Sequence, residues 1–367
     1  MRALFYMGDN RWSGSARAFF VAARGLLARG HQVTVACCGG SRLEHRAHDA
    51  NIETVLINAP ESTTGSAWDL RRVLRERFVE VVFVHSERDQ LIVSSAMRLA
   101  ERGGVIRRVP AFNGLELQRI GKIALRIASA GLLVSTEREL RDIDGAGWAI
   151  PPAVAPLGVD VAAYESVRPF AVGELGIRSN ALIIGCIYDP SGRHRIANVF
   201  RTMALLAPRH GNLHVIVVGP GALDEELRLH AAALGVSPVV TFLGQRDDEL
   251  AVLRAASAGW IVASGDGGAF GCLDTMALRL PVIAERSRLT AHYVADGISG
   301  VLLEPGDASN TASAVAAFLG HDETRTAMGN AARTRVQRDF PETAMIDGFE
   351  RAGLGASDRT TWAGAAR

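Results

Sequence analysis

Lysine is almost absent from this chain. Lys122 is the only one in 367 residues, and apart from histidine every other basic side chain is arginine. A position that holds lysine in a relative is therefore expected to hold arginine here, a planar fork instead of a point charge. Cysteine is scarce as well. Cys37, Cys38, Cys186 and Cys272 show no C-x-x-C spacing and no histidine pattern suited to zinc, which argues against a zinc or disulfide scaffold and fits a reducing, cytoplasmic setting. No apolar run approaches the roughly 20 residues of a membrane-spanning helix, and the one in MRALFYMGDN is too short for a signal peptide. The net charge of +1 gives no reason to expect a nucleic-acid partner.

Apolar residues, at 48%, are plentiful, and a chain of this length exceeds one comfortable core. Short apolar runs alternate with longer amphipathic ones. Strands are expected over 3–7, 31–37, 52–57, 81–85, 105–111 and 131–135, with helices over 15–29, 68–77, 91–102 and 115–130 between them. The Pro-rich stretch IPPAVAPLGVD interrupts the series, and alternation resumes with strands at 181–187, 213–218, 239–242, 259–263, 281–284 and 300–303. Two such series mean an α/β protein of two doubly wound, Rossmann-like domains, with ligands expected beyond the carboxyl ends of the strands, in the cleft between the domains. The boundaries read as 1–165, 176–336 and a C-terminal helix over 337–355 that crosses back to the first domain. Beyond about Asp358 the tail lacks periodicity and is expected to be loose.

The stretch SGDGGAFGCLDTMALRLPVIA sets Asp266 and Asp274 around glycines, with seven residues between them. A strand ending at Ala263, a turn over 264–269 and a helix over 270–279 would leave Asp266 in the loop and Asp274 near the first helical turn. Gly265, Gly267 and Gly268 bring amides close to a ligand, and a helix amino end seats phosphate. A carboxylate one turn inside suits a vicinal diol such as ribose. The same residues also suit a plain connection in which Asp266 caps the helix and Asp274 favours its dipole.

The surroundings carry a resemblance. Asp266 and Asp274 fall where GT-B glycosyltransferases of the large retaining family 4 have two glutamates at this spacing, and Met276, Ala277, Leu280, Pro281, Val282 and Ile283 follow in register. The segments 217–221 and 239–244, then Asp296, Gly297, Gly300, Pro305, Gly306 and Asp307, resemble further motifs of that family, over roughly 181–340. In the first half the likeness is looser: Trp12, Ser13 and Gly14, the run 29–33 and the run 157–160. The resemblance implies a GT-B fold and transfer of a sugar from a nucleotide diphosphate sugar to an acceptor with retention, with no cofactor and no metal. The acceptor side lies in the first domain and is a small molecule, a glycan or a lipid-linked sugar. It implies that Asp274 holds the donor ribose and Asp266 the transferred sugar, and that Gly14, Gly219, Leu243, Gly244, Gly267, Gly268, Ala269 and Phe270 contact the donor.

Departures from the pattern are specific. Both glutamates are aspartates, one methylene shorter. The basic pair that meets the phosphates is displaced, and Arg193 and Arg195 in PSGRHRIANVF are the replacements, guanidinium suiting bidentate phosphate contact; the plain reading is two solvated loop charges. Asn113 stands where relatives place a cleft histidine; it can donate a hydrogen bond but cannot titrate. His85 reads better as a strand-end residue than as a catalyst. Asp142, Ile143 and Asp144 mimic a metal-binding D-x-D but read as helix surface. Charge on the departing diphosphate would then be met by Arg193, Arg195 and the helix amino end, and the phosphate itself takes the acceptor proton. Two alternatives stand beside this: a catalytically weak protein that binds a nucleotide sugar or a partner enzyme, and a sugar-nucleotide epimerase. Arg119, Lys122 and Arg126 share one face of the expected helix 115–130, opposite Ile120, Ile123 and Ile127, which suits either a solvated face or peripheral contact with the inner face of a membrane.

Overall fold

The structure is a computed structural model that describes residues 1–57, 63–113, 130–143 and 150–365. The described chain divides into two compact units, Met1–Leu157 with Glu342–Arg367, and Gly158–Pro341. Arg119, Lys122, Arg126 and Asp144 lie outside the described residues.

Unit 1 alternates β1 (Arg2–Met7), α1 (Gly14–Ala28), β2 (Gln32–Cys38), α2 (Arg42–Asp49), β3 (Glu53–Ile57), α3 (Thr63–Glu76), β4 (Val81–Val84), α4 (Glu87–Ala100), β5 (Gly104–Arg108), β6 (Ala130–Val134), α5 (Glu137–Ile143) and β7 (Ala153–Val154). Its sheet runs β3-β2-β1-β4-β5-β6-β7, with every described pairing parallel. A parallel strand is covered on both faces, so β1 from Ala3 onward and β4 are continuous buried runs instead of alternating, and Leu4, Phe5, Val82 and Phe83 have no solvent exposure. The helix α2 was not anticipated: it is short and charged, buries only Leu43 and Ala47, and starts because Ser41 accepts from the Glu44 amide at 3.2 Å.

Unit 2 contains β8 (Leu182–Ile187), α6 (Arg193–Leu206), β9 (Leu213–Val218), α7 (Glu225–Ala233), β10 (Val240–Gly244), α8 (Glu249–Arg254), β11 (Ala258–Ile261), α9 (Gly265–Ala277), β12 (Val282–Glu285), α10 (Arg288–Tyr293), β13 (Gly300–Leu303), α11 (Ala308–Leu319) and α12 (Asp322–Asp339). Its sheet order is β10-β9-β8-β11-β12-β13. In chain order this is 3-2-1-4-5-6, the doubly wound arrangement, so the direction of winding reverses between β8 and β11. In unit 1 the reversal falls between β1 and β4. Loops leaving those strand pairs diverge to opposite sides and leave a crevice.

The last helix, α13 (Glu342–Ala365), belongs to unit 1. Pro341 separates it from α12, and Phe349 enters the aromatic core with ring centroids 5.9 Å from Phe5 and 5.2 Å from Phe83. The tail is therefore helical to Ala365, not loose as its composition suggested. Buried Ala352 and Ala356 anchor the turns from which the helix propagates.

Candidate functional site

The crevice of unit 2 lies where β8 and β11 end side by side, Ile187 paired with Ile261. Beyond β11 the expected turn over 264–269 does not form. Ser264 is extended (φ −123°, ψ −179°) and the helix starts directly at Gly265. Asp266 thus stands in the first turn of α9, not in a loop, and Asp274 two turns deeper, about 12 Å further along the axis. Both are buried, at 3% and 7% exposure. Gly265 does turn the backbone, at φ +53°, whereas later glycines allow close packing within the helix: a Cβ on Gly268 would lie 2.5 Å from the Ala263 carbonyl oxygen, and one on Gly271 3.1 Å from Ile187. Ala269 and Phe270 are buried in the same helix.

Asp274 accepts a hydrogen bond of 2.5 Å from the Tyr164 hydroxyl. Tyr164 sits in the short 3-10 helix Val161–Ser166, whose start Asp160 caps by accepting from the Ala162 amide at 3.0 Å. The run LGVD therefore places a tyrosine on the second carboxylate, a role the sequence did not disclose. Cys272, in the same helix, is inert: burial pushes its thiol up to about 12, with Asp274 adding to the shift.

The loops after β8, β9 and β10 converge. Gly219 (φ +130°) donates its amide to the Gly244 carbonyl at 2.9 Å, and a Cβ there would collide with the Tyr188 carbonyl, so only glycine fits. Gly244 closes β10 behind half-buried Leu243. The donor-contact candidates Gly219, Leu243 and Gly244 are in this way brought to one strand-end surface.

The two arginines are less available than expected. Arg193 begins α6 and pairs with Asp224 at 2.6 Å and Glu226 at 2.5 Å. Glu226, then Asp224, raise its pKa above the ordinary arginine value. Arg195 donates its Nε–H to the Val262 carbonyl at 3.0 Å. A carboxylate that received no attention at the sequence level, Asp189, follows β8 and caps the turn Pro190–Gly192.

Unit 1 has its own crevice, a cavity of about 660 Å³ lined by Gly8, Asp9, Asn10, Cys38, Gly39, Ile57, His85, Ser86, Arg88 and Asp89. His85, at the end of β4, places Nδ1 3.2 Å from the buried Asp89 carboxylate, within ion-pair distance but without hydrogen-bond geometry. The i,i+4 spacing of these two residues was the available signal. Gly14 is the first residue of α1, whose N-cap is Ser13. Asn113 is exposed beyond β5, its amide donating to the Pro110 carbonyl at 3.3 Å. Asp142 is exposed on α5, as a surface reading requires. Among the described residues no group of three His, Cys, Asp or Glu is placed to hold a metal ion, and no helix is long and apolar enough to cross a membrane.

Residues 169–335 match the family described as glycosyl transferases group 1. The chain is 30% identical over 224 residues to a D-inositol 3-phosphate glycosyltransferase of Corynebacterium jeikeium (strain K411), covering 56% of this chain and 53% of the relative. It is also 30% identical over 186 residues to a phosphatidyl-myo-inositol mannosyltransferase of Mycolicibacterium smegmatis, covering 50% and 47%. The chain thus spans about half the length of the curated relatives it matches. The crystal structure of Anabaena HepE in complex with UDP and glucose superposes with a TM-score of 0.78 at 16% identity, over 96% of this chain and 98% of that one. This likeness establishes the GT-B fold.

Proposed function

We propose, from the premise that residues 169–335 are a glycosyl transferases group 1 domain, that this protein moves a sugar from a nucleotide diphosphate sugar to an acceptor hydroxyl with retention of configuration. The observation that carries the reading is α9 itself, which presents two buried carboxylates about 12 Å apart on a helix whose amino end opens at the sheet's switch point. Asp274, held by Tyr164, is the ribose ligand, and Asp266 in the first turn holds the transferred sugar. Gly219, Leu243 and Gly244 border the nucleotide, and the amides of Gly265 to Gly267, which precede the first helical hydrogen bond from Gly268 to Ser264, face the donor. Arg193 and Arg195 meet the diphosphate once Arg193 leaves Asp224 and Glu226. The unit 1 cavity with His85 and Asp89 takes the acceptor; Gly14 is a donor-phosphate contact, and Asn113 donates a hydrogen bond to a sugar hydroxyl. Similar solved structures hold UDP with glucose, and UDP-glucose, which makes uridine the first base to try. The reaction is metal-independent in this reading, and turnover survives EDTA.

One observation favours a second reading, a protein that binds a nucleotide sugar without efficient turnover: the basic group expected at the phosphates is neutralised by two acids. Incubation with UDP-, GDP-, ADP- and dTDP-sugars in water, acceptor absent, separates the possibilities. Slow release of nucleoside diphosphate supports the transferase. A changed sugar supports an epimerase, and binding without turnover supports the second reading.

A further inference from the structure

The amino end of α9 already faces a negative charge. Asp189 leaves β8 beside it, and a Cβ on Gly267 would come within 2.8 Å of Asp189 Oδ2, so this carboxylate lies against the first turn of the helix. Its other oxygen, Oδ1, accepts from the Ser191 amide at 2.8 Å and from the Ser191 hydroxyl. Ser191 is tied in turn to the start of α9, its oxygen accepting from the Ser264 amide at 3.2 Å while the two hydroxyls bond each other. Ser264 consequently makes no side-chain cap on its own helix. No cation lies within ion-pair distance of Asp189 among the described residues. Arg193, four positions on, is engaged by Asp224 and Glu226 instead.

We infer that Asp189 is a specificity-determining residue of the donor site: its carboxylate lies beside the first turn of α9 at Gly267, where its charge opposes the diphosphate of the donor. The inference rests on the donor reading above. Helix amides attract one anion or the other, and two negative groups at one helix end repel at short range. Diphosphate binding therefore requires Asp189 to swing off Gly267, carrying the Ser191 contact with it. The nucleoside part of the ligand is indifferent to that movement. The consequence is a site that discriminates against ligands by the charge they bring to α9.

The test is calorimetric binding of UDP, GDP, ADP and dTDP, and of the four matching nucleosides, to the full-length parent, Asp189→Asn and Asp189→Ala. Asparagine keeps an acceptor for Ser191 and loses only the charge; alanine loses both, so agreement between the two isolates the charge. The expected result is diphosphate affinity raised at least about tenfold in both variants, nucleoside affinity unchanged, and a gain that shrinks in high salt. Unchanged or weaker diphosphate affinity in a variant that melts like the parent overturns the inference while leaving the donor reading intact. If no diphosphate or nucleoside binds parent or variants, the donor reading itself falls, and the inference with it.

Discussion

The crevice between β1 and β4 and the one between β8 and β11 occupy the same place in two sheets of like winding, yet their helix starts are finished differently. At α4, Ser86 accepts from the Asp89 amide at 3.0 Å, and Glu87 and Asp89 sit in the first turn, so the helix supplies its own cap and its own negative charge. At α9 the equivalent serine, Ser264, turns its hydroxyl to Ser191 and makes no cap, and glycines flank Asp266, the acid of its first turn. S-E-R-D caps its own helix end; S-G-D-G does not. The two units teach that a shared fold location says where a ligand can bind, whereas the first three residues of the helix decide whether an anion is wanted there.

The contrast is broken most directly at the carboxylates. Asp274→Ala should lose a charge-assisted contact of roughly 1.5–3 kcal/mol, about ten- to a hundred-fold in nucleoside diphosphate affinity by calorimetry. Asp89→Asn in unit 1 should leave that affinity where it is; an equal loss there would erase the functional difference between the crevices. A slightly smaller effect is expected at Gly268. Gly268→Ala drives a methyl against the backbone oxygen of Ala263, 2.5 Å away, and overpacking of this kind costs about 1–3 kcal/mol in denaturant unfolding. Gly25→Ala in α1 meets the Ile346 side chain, at Cδ1, Cγ1 and Cγ2, instead of backbone, and should cost less.

The caps come next. Ser86→Ala should destabilise by about 1 kcal/mol, the ordinary value of an N-cap, whereas Ser264→Ala removes no cap and should fall well below that. Equal losses would mean that Ser264 caps α9 after all.

The smallest expected effect is a difference in acid response. Burial lowers His214, and burial with the Arg335 charge lowers His292, below the ordinary 6.5. A depressed folded pKa means the unfolded chain binds more protons, so this stability in unit 2 is present above pH 6.5 and is lost as pH falls through the folded values. In unit 1 the depressed groups are carboxylates. The His31 and Arg29 contacts hold Glu350 low; at Glu80 the Arg2 amide and guanidinium outweigh the upward effect of burial, as Arg11 does at Asp9. Their contribution persists until pH drops below about 4.5, the ordinary glutamate value. Hydrogen exchange at pH 7.5 and 5.5, corrected for intrinsic rate, should therefore show unit 2 loosening first.

Much of the scaffold was legible because buried parallel strands are continuous apolar runs: 213–218 and 300–303 coincide with β9 and β13, and most other strands shift by a residue or two. The site was harder to read. The freedom of Gly265, Gly267 and Gly268 is visible locally and suggests a turn, but the Ala263 carbonyl that excludes a side chain at Gly268 is a tertiary fact. Tyr164 meets Asp274 from 110 residues away, and Arg193 finds Asp224 and Glu226 from 31 and 33 away, separations over which no local pattern reports. His85 and Asp89 are the exception, close enough in sequence to have been paired.

Phe349 has a bearing on the order in which the molecule comes into being. A ribosome releases residues in sequence, and domains tend to fold as each is completed. Unit 2 is complete once Pro341 has emerged, but the aromatic cluster of Phe5, Phe19 and Phe83 still awaits a ring carried by α13. The part of the protein that is synthesised first is thus finished last, and during translation its sheet must remain soluble with one wall missing.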